Sequence, residues 1–551
     1  MDAPSAADPG AGAAPTDPAA PTILDGWPAG PLGFRQRSIR YHRPRAPFCG
    51  RGDCTGCLVR VNGMPNVRAC QYRPGPGDRI ETENAWPSPR FDLGRIFDLL
   101  FPHGIDTTRG LLRPPAARPF YQWVVRRLAG YGRFPTPTAS APPTTARRIE
   151  AEVAIVGAGA CGRAVAARLA LDPGGPTVIL DRTDTGRGPA GATRLYRTTA
   201  VFLPPPVPDR TRPFTLWAVG PAGEGLRIEA RHVVVATGGY DANLLFGNGD
   251  RPGVVTADGA FALSAGADRP PFQEAVVVGG GPRAAEVIDR FGERIGAVVA
   301  PGSIDPEVVA RATAHGIPLL PRSLLLRARG FGRLTGVELA ARGSGTPFHR
   351  KADAVILALR RLPNAQLFFQ AGARIIWHPR PGGYFPRLTE GGESSVPGLW
   401  GVGDVAGDPP GDPVAQGVRV AEAILGHRPS GETRPLPQWE PSELEGYVVE
   451  LAARRRTREK WIACPCEDVL LGEVEEAVRR GYHGIEAVKR YTGLGTGLCQ
   501  GRYCLPDALL WLSVLEHRPV PEIGYITQRP PVVPTPLGAW ADRPDGAEEA
   551  P

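Results

Sequence analysis

Residues 151–181 read AEVAIVGAGACGRAVAARLALDPGGPTVILD, and the order of residue types in this stretch decides the fold. Val153 to Val156 make an apolar strand that turns through Gly157, Gly159 and Gly162 into a helix carrying Ala164, Val165, Ala167, Arg168 and Leu169. Gly157 permits the tight turn, Gly159 lets a pyrophosphate approach the backbone, and Gly162 lets helix and strand pack closely. The helix N-terminus then faces the phosphates. A second strand, TVILD, ends in Asp181, 19 residues past Gly162, where an acid accepts hydrogen bonds from a ribose. Strand, glycines, helix and acid in register predict a dinucleotide-binding unit rather than a merely structural turn.

Working outward, RHVVVATGGYD (231–241) is a buried strand running into Thr237, Gly238 and Gly239. GLWGVGDVAG (398–407) is another, turning at Gly403 and Asp404 before the helix PVAQGVRVAEAIL. Together with the first unit, these segments resemble the FAD-binding segments of the two-dinucleotide-binding-domain flavoproteins, the disulfide reductases and their relatives. That resemblance implies FAD as cofactor, with Asp404 near its ribityl chain or pyrophosphate. The alternative for Asp404 is an acid that caps a helix.

Between these segments, EAVVVGGGPRAAEVIDRF (274–291) repeats the strand–glycine–helix pattern with Gly279, Gly281 and Ala284. This is where the flavoproteins insert a nicotinamide domain, and ADAVILALRRLPN (352–364) closes it. The second strand, GAVVAPG, has no acid for a ribose and no arginine aimed at a 2′-phosphate. The unit is therefore expected to be a retained scaffold rather than a working NAD(P) site. No cysteine pair lies in the block, which rules out disulfide reductase chemistry; Cys161 reads as a small residue filling a turn. The stretch after Asp181, to about residue 213, reads as largely loop-like.

A chain of 551 residues is too long for one core and predicts several domains. Hydrophobic residues at 42% are enough to bury real cores. The net charge of +8 comes from arginines scattered along the chain, with Lys351, Lys460 and Lys489 the only lysines, so no nucleic-acid partner is expected. No apolar run reaches the roughly 18 residues of a membrane span, and no signal peptide opens the chain. The expected location is the cytoplasm, with peripheral membrane contact left open, and its reducing chemistry argues against structural disulfides.

Eight of the nine cysteines fall into two quartets. Cys49, Cys54, Cys57 and Cys70 have the spacing C-x4-C-x2-C-x12-C. Its first two gaps are those of plant-type [2Fe–2S] ferredoxins, and Gly50, Gly52 and Gly56 let the loop wrap and turn amides toward the sulfurs. Zinc sites pair two short knuckles, which this spacing does not. Cys464, Cys466, Cys499 and Cys504 follow C-x-C-x32-C-x4-C, with helical periodicity between, stops at Gly481 and Gly493, and Cys504 near a helix N-terminus. Spacing alone leaves zinc open for this quartet. KRYTGLGTGLCQGRYC (489–504) resembles the helical [2Fe–2S] domain of bacterioferritin-associated ferredoxin, which implies a second cluster.

Five segments carry a resemblance of the whole chain: CTGCLVRVNGMPNVRAC, ETENAWPSPRFDLGRIFDLLFP, NGDRPGVVTADGAFAL, KRYTGLGTGLCQGRYC and TQRPPVVPTPLGA. They resemble the alpha-type FAD subunits of heteromeric sarcosine oxidase, opine oxidase, hydrogen cyanide synthase and dye-linked proline or hydroxyproline dehydrogenase. Against sarcosine oxidase alpha, the chain stops before the folate-binding extension and keeps the first cysteine quartet, which disfavours folate-coupled chemistry.

The expected fold is multidomain α/β: an N-terminal β-grasp ferredoxin-like domain, a Rossmann-type flavoprotein core and a small helical C-terminal domain. The boundaries are a disordered tail (1–25), the ferredoxin-like domain (26–112), a linker (113–149), an FAD domain (150–271 and 361–427) with the NAD(P)-type insert (272–360), a second linker (428–455) and the helical domain (456–545). The resemblance implies an electron-transfer subunit fed by a separate D-amino-acid-oxidase-like flavoprotein that oxidises a C–N bond and delivering to a quinone, another carrier or oxygen. No general base is marked. The rival readings are a self-sufficient NAD(P)H-dependent ferredoxin or acceptor reductase and a non-catalytic two-cluster assembly subunit with a decayed flavin site.

Overall fold

The computed structural model describes residues 21–540, leaving out 28–32, 34, most of 103–145, 173, 185–190, 209, 266–269, 344, 380–381, 409–410, 435–442 and 456–459. Most of the expected tail and first linker thus lie outside the described residues. Among those described, no helix is long and apolar enough to cross a membrane.

The N-terminal block is built on a three-stranded antiparallel sheet with Leu58–Val61 between Met64–Arg68 and Ile80–Glu81. Asn62 and Gly63 both have positive φ, the two-residue turn that matches the twist of a hairpin. The last residues assigned to the tail belong to this block: Ile23 and Leu24 are buried, and Ile23 N–H donates to Tyr72 O. A pair of apolar side chains suffices to anchor the end of a segment whose preceding composition is polar and small.

In the flavoprotein core, Arg147–Val156 runs parallel between Thr177–Asp181 and Gly225–Val235. The far end of the long Gly225–Val235 strand pairs in parallel with Leu399–Gly401, which brings the segment around Asp404 to the first glycine turn. The helix Ala160–Leu169 packs on Pro413–Ile424 so closely that a Cβ on Gly417 would stand 2.5 Å from that of Ala164. The described part of the stretch after Asp181 is largely loop, as expected, but it holds two short strands. Ala192–Tyr196 and Thr199–Phe202 join the sheet, because each finds a ladder partner that its arginines and flanking prolines conceal.

The second unit is a parallel sheet in the order Val254–Thr256, Ala354–Leu357, Ala275–Val278, Ile295–Val299, Leu319–Leu320. It begins before the expected boundary at 272, since Val254–Thr256 pairs with Val355–Leu357. The second linker also differs from expectation. Glu443–Arg454 is a helix, and its Tyr447 and Leu451, one turn apart, are each 1% exposed against the core.

The C-terminal block contains the helices Leu471–Arg479, Ile485–Thr492 and Leu505–Glu516, with Gly493 in the left-handed cap position. One continuous apolar core joins this block, the second unit and the N-terminal cysteine loop: it holds Cys49 and Cys54, Val276 and Leu339, and all four C-terminal cysteines.

Candidate functional site

The first glycine turn is sterically committed to glycine. A Cβ at Gly157 (φ 113°) would stand 2.2 Å from Ala236 O, and one at Gly162 would stand 2.0 Å from Gly157 O. Gly159 has open space and caps the helix Ala160–Leu169. Asp181 stands beside the turn, accepting from Ala158 N–H at 2.7 Å through one oxygen and from Thr183 N–H at 2.8 Å through the other.

Gly157, Gly159, Asp181 and Thr183 line a cavity of about 390 Å³, together with Thr237 and Gly238. Gly403 and Asp404 lie beside it. Asp404 Oδ2 is 4.0 Å from the Cβ position of Gly238 and is paired with Arg361 Nε at 2.7 Å. Cys161 is half-buried against Gln416 and Gly403, in keeping with a packing role.

The rest of the wall carries no motif in the sequence. Gly50, Arg51 and Asp53 come from the N-terminal cysteine loop, and Arg502 comes from between the last two cysteines. Arg502 Nε reaches Asn364 Oδ1 at 3.3 Å, and Asn364 in turn accepts from Thr237 Oγ1 through its carbonyl. Asp53 is held by Arg182, the residue after Asp181, at 2.7 and 3.3 Å. Burial alone would raise the Asp53 carboxyl; the Arg182, Arg502 and Arg51 guanidinium groups reverse this and hold it well below the usual range.

The second unit has the same turn without the same chemistry. A Cβ at Gly279 would stand 2.0 Å from Ala358 O, Gly281 caps the helix Pro282–Phe291, and Ala284 is fully buried. Where the first unit has Asp181, this one has the buried Ala300. Arg283, on the turn itself, is engaged by Asp241 at 2.8 Å and by Asp258. The loop that follows packs on the turn, with Asp305 N–H donating to Gly280 O at 2.7 Å. These residues do not fit the ribose of a nicotinamide dinucleotide.

All eight quartet cysteines are buried. In the first quartet Cys49 and Cys54 act on one another's ionisation, as do Cys57 and Cys70. Backbone amides point at the sulfurs: Gly52 N–H to Cys70 at 3.1 Å, Gly56 N–H to Cys54 at 3.3 Å and Arg51 N–H to Cys49 at 3.4 Å. Gly50 and Gly52 have positive φ, which lets the loop turn its amides inward. In the second quartet Cys464 and Cys504 act on one another's ionisation, as do Cys466 and Cys499, and these neighbours together with burial raise the Cys504 thiol. Among the described residues no three His, Cys, Asp or Glu side chains gather round one ion. In the first quartet, four buried thiols with inward amides suit a two-iron cluster.

Comparison with known proteins follows the same division. Residues 22–85 match the 2Fe-2S iron-sulfur cluster binding domain, 208–423 the pyridine nucleotide-disulphide oxidoreductase family, and 458–543 the sarcosine oxidase A3 domain. The sarcosine oxidase alpha subunit of Rhizobium meliloti is 26% identical over 563 residues, covering 91% of this chain and 54% of that protein. The chain resembles the alpha-type subunits of sarcosine oxidase, opine oxidase and hydrogen cyanide synthase. It spans about half the length of the sarcosine oxidase alpha subunit. It also matches hydrogen cyanide synthase subunit HcnA from Pseudomonas aeruginosa, at 53% identity over 62 residues, 11% of this chain and 56% of HcnA. Its fold is shared with an L-proline dehydrogenase chain from P. horikoshii, with a TM-score of 0.62 at 20% identity over 92% of this chain and 91% of that one. The alpha-type match brings an FAD-type oxidoreductase core, and the N-terminal match brings a [2Fe–2S] domain.

Proposed function

We propose that this chain is the FAD and iron–sulfur electron-transfer subunit of a heteromeric dehydrogenase or oxidase acting on the C–N bond of an amine or amino acid. One observation carries the reading: the first dinucleotide unit and both cysteine loops contribute walls to a single cavity. FAD supplies two-electron chemistry and each cluster one-electron chemistry, so the combination suits a chain that splits a hydride's electrons.

In this reading Gly157, Gly159, Gly162, Asp181, Thr237, Gly238, Gly403 and Asp404 hold FAD. Cys49, Cys54, Cys57 and Cys70 hold one [2Fe–2S] cluster, and Cys464, Cys466, Cys499 and Cys504 hold a second. A D-amino-acid-oxidase-like partner oxidises the substrate, and a quinone, carrier or oxygen takes the electrons. The relatives' names, oxidases of sarcosine and opines, support a C–N substrate. The second unit, with Ala300 at the ribose position and its strands in the core shared by both cysteine loops, serves as scaffold.

Anaerobic purification followed by iron, sulfide and flavin analysis tests the assignment; about four irons, four sulfides and one FAD per chain are expected. Four irons without flavin would leave a two-cluster assembly subunit. Rapid bleaching of the flavin by NADH in the isolated chain would establish the reductase reading instead.

A further inference from the structure

Three arginines line the cavity beside the first glycine turn: Arg51, Arg182 and Arg502. Two of them have their charge matched within the protein. Arg182 bonds both oxygens of Asp53, and Arg51 pairs with Asp258 at 2.8 Å and donates to Gly239 O at 2.7 Å. Arg502 has no such match. It is only 7% exposed, yet it forms no ion pair with a carboxylate among the described residues. Asp53, whose carboxyl feels its charge, already spends both oxygens on Arg182.

The Arg502 side chain is held from two sides. Its Nε donates to Asn364 Oδ1 at 3.3 Å and its Nη1 to the carbonyl of Cys499 at 3.4 Å. Asn364 is itself locked to Thr237, donating to Thr237 O at 3.2 Å and accepting from Thr237 Oγ1 at 3.1 Å through its carbonyl. These bonds leave Nη2 without a hydrogen-bond partner among the described residues. Keeping a charge away from water without an opposite charge is costly, and a cavity open to a ligand is where the missing charge can enter.

We infer that Arg502, carried by the C-terminal cysteine loop, is a binding residue of the dinucleotide cavity, its Nη2 taking an anionic group of the bound FAD. This rests on the proposal that the cavity holds FAD. The dinucleotide offers two such groups, its diphosphate and the electron-rich ring of the reduced flavin. A guanidinium binds either through charge-assisted hydrogen bonds. Arg502 lies between Cys499 and Cys504, so the loop that supplies two thiols of the C-terminal quartet also completes the flavin site. FAD in the cavity therefore helps hold that loop against Asn364.

The test compares Arg502→Met and Arg502→Lys with the parent, all as the full chain. It reads FAD retention after exhaustive dialysis, the two-electron potential of the flavin and the potentials of the EPR-active clusters. With the diphosphate as partner, Arg502→Met is expected to weaken FAD retention by about tenfold. With the reduced ring as partner, retention holds and the redox equilibrium moves about tenfold toward oxidised flavin, about 30 mV for two electrons. Arg502→Lys, which keeps the charge, should recover most of either loss. A third measurement does not depend on a variant folding. In the parent chain stripped of flavin, phenylglyoxal should modify Arg502, and restored FAD should protect it. Unchanged retention and flavin potential in Arg502→Met, or equal modification with and without FAD, would overturn the inference while leaving the proposed function intact. A shift confined to the potential of the C-terminal cluster would also overturn it, by making Arg502 the counter-charge of that cluster. A parent chain that binds no flavin would instead remove the FAD reading itself.

Discussion

Asp53, in the N-terminal cysteine loop, and Arg182, directly after Asp181, form a two-point ion pair at 2.7 and 3.3 Å. Asp53 is 2% exposed and Arg182 30%. The pair ties the end of the strand Thr177–Asp181 to the loop that presents the first cysteine quartet, so one interaction registers the cavity beside the first glycine turn against that loop.

Removing one partner of such a pair leaves the other charge poorly solvated. Asp53→Asn should destabilise the chain by about 3 kcal/mol, near the low end for buried pairs because Arg182 keeps some solvent. Denaturant unfolding measures this. In the double variant with Arg182→Gln, the loss should be smaller than the sum of the single losses; simple additivity would show that the pair does no coupling.

The cysteine assignments predict selective losses. Cys57→Ser should remove the N-terminal cluster's EPR signal and about two irons, with the other cluster retained; Cys504→Ser should do the reverse. Loss of zinc rather than iron in Cys504→Ser would identify the C-terminal block as a structural zinc site.

Asp181 has two duties, accepting from Ala158 N–H on the glycine turn and facing the cavity. Asp181→Ala should weaken FAD retention by at least about tenfold, or about 1.4 kcal/mol. Flavin content after exhaustive dialysis reads this, and full retention would count against the site.

Asp507 introduces a pH dependence remote from the cavity. Burial pushes its carboxyl up to about 7, opposed by the Arg360 charge and a 3.3 Å hydrogen bond from Asn243. The folded protein thus holds a proton that the unfolded chain, near 3.8, has released. The stability this group contributes is complete below about pH 4 and is lost as pH rises through about 7. Melts of the parent and Asp507→Asn across that window should diverge in slope; parallel curves would contradict the assignment.

Much of the site is legible in the order of residues alone. Gly157, Gly162 and Asp181 can be read because a glycine turn with a following acid is a local requirement, met within one strand–helix–strand unit. The cysteine spacings are legible for the same reason. Arg182 and Arg502 carry no such local mark. Arginine is scattered throughout this chain. The helix Glu443–Arg454 is concealed by the proline-rich run ahead of it, and the short strands after Asp181 by their dependence on ladder partners.

By itself the sequence determined the pieces: two glycine turns, one followed by an acid and one not, and two thiol quartets, the first with the spacing of a ferredoxin loop. Those features rest on steric limits and ligand reach over a few residues, which the order of amino acids states directly. Only the tertiary structure decided that both cysteine loops line the cavity beside the first glycine turn and that the two loops face one another across a second, smaller cavity. Those meetings join segments from opposite ends of the chain. They depend on which apolar faces are buried against one another, here through the core of the second dinucleotide unit, and no local pattern records that choice.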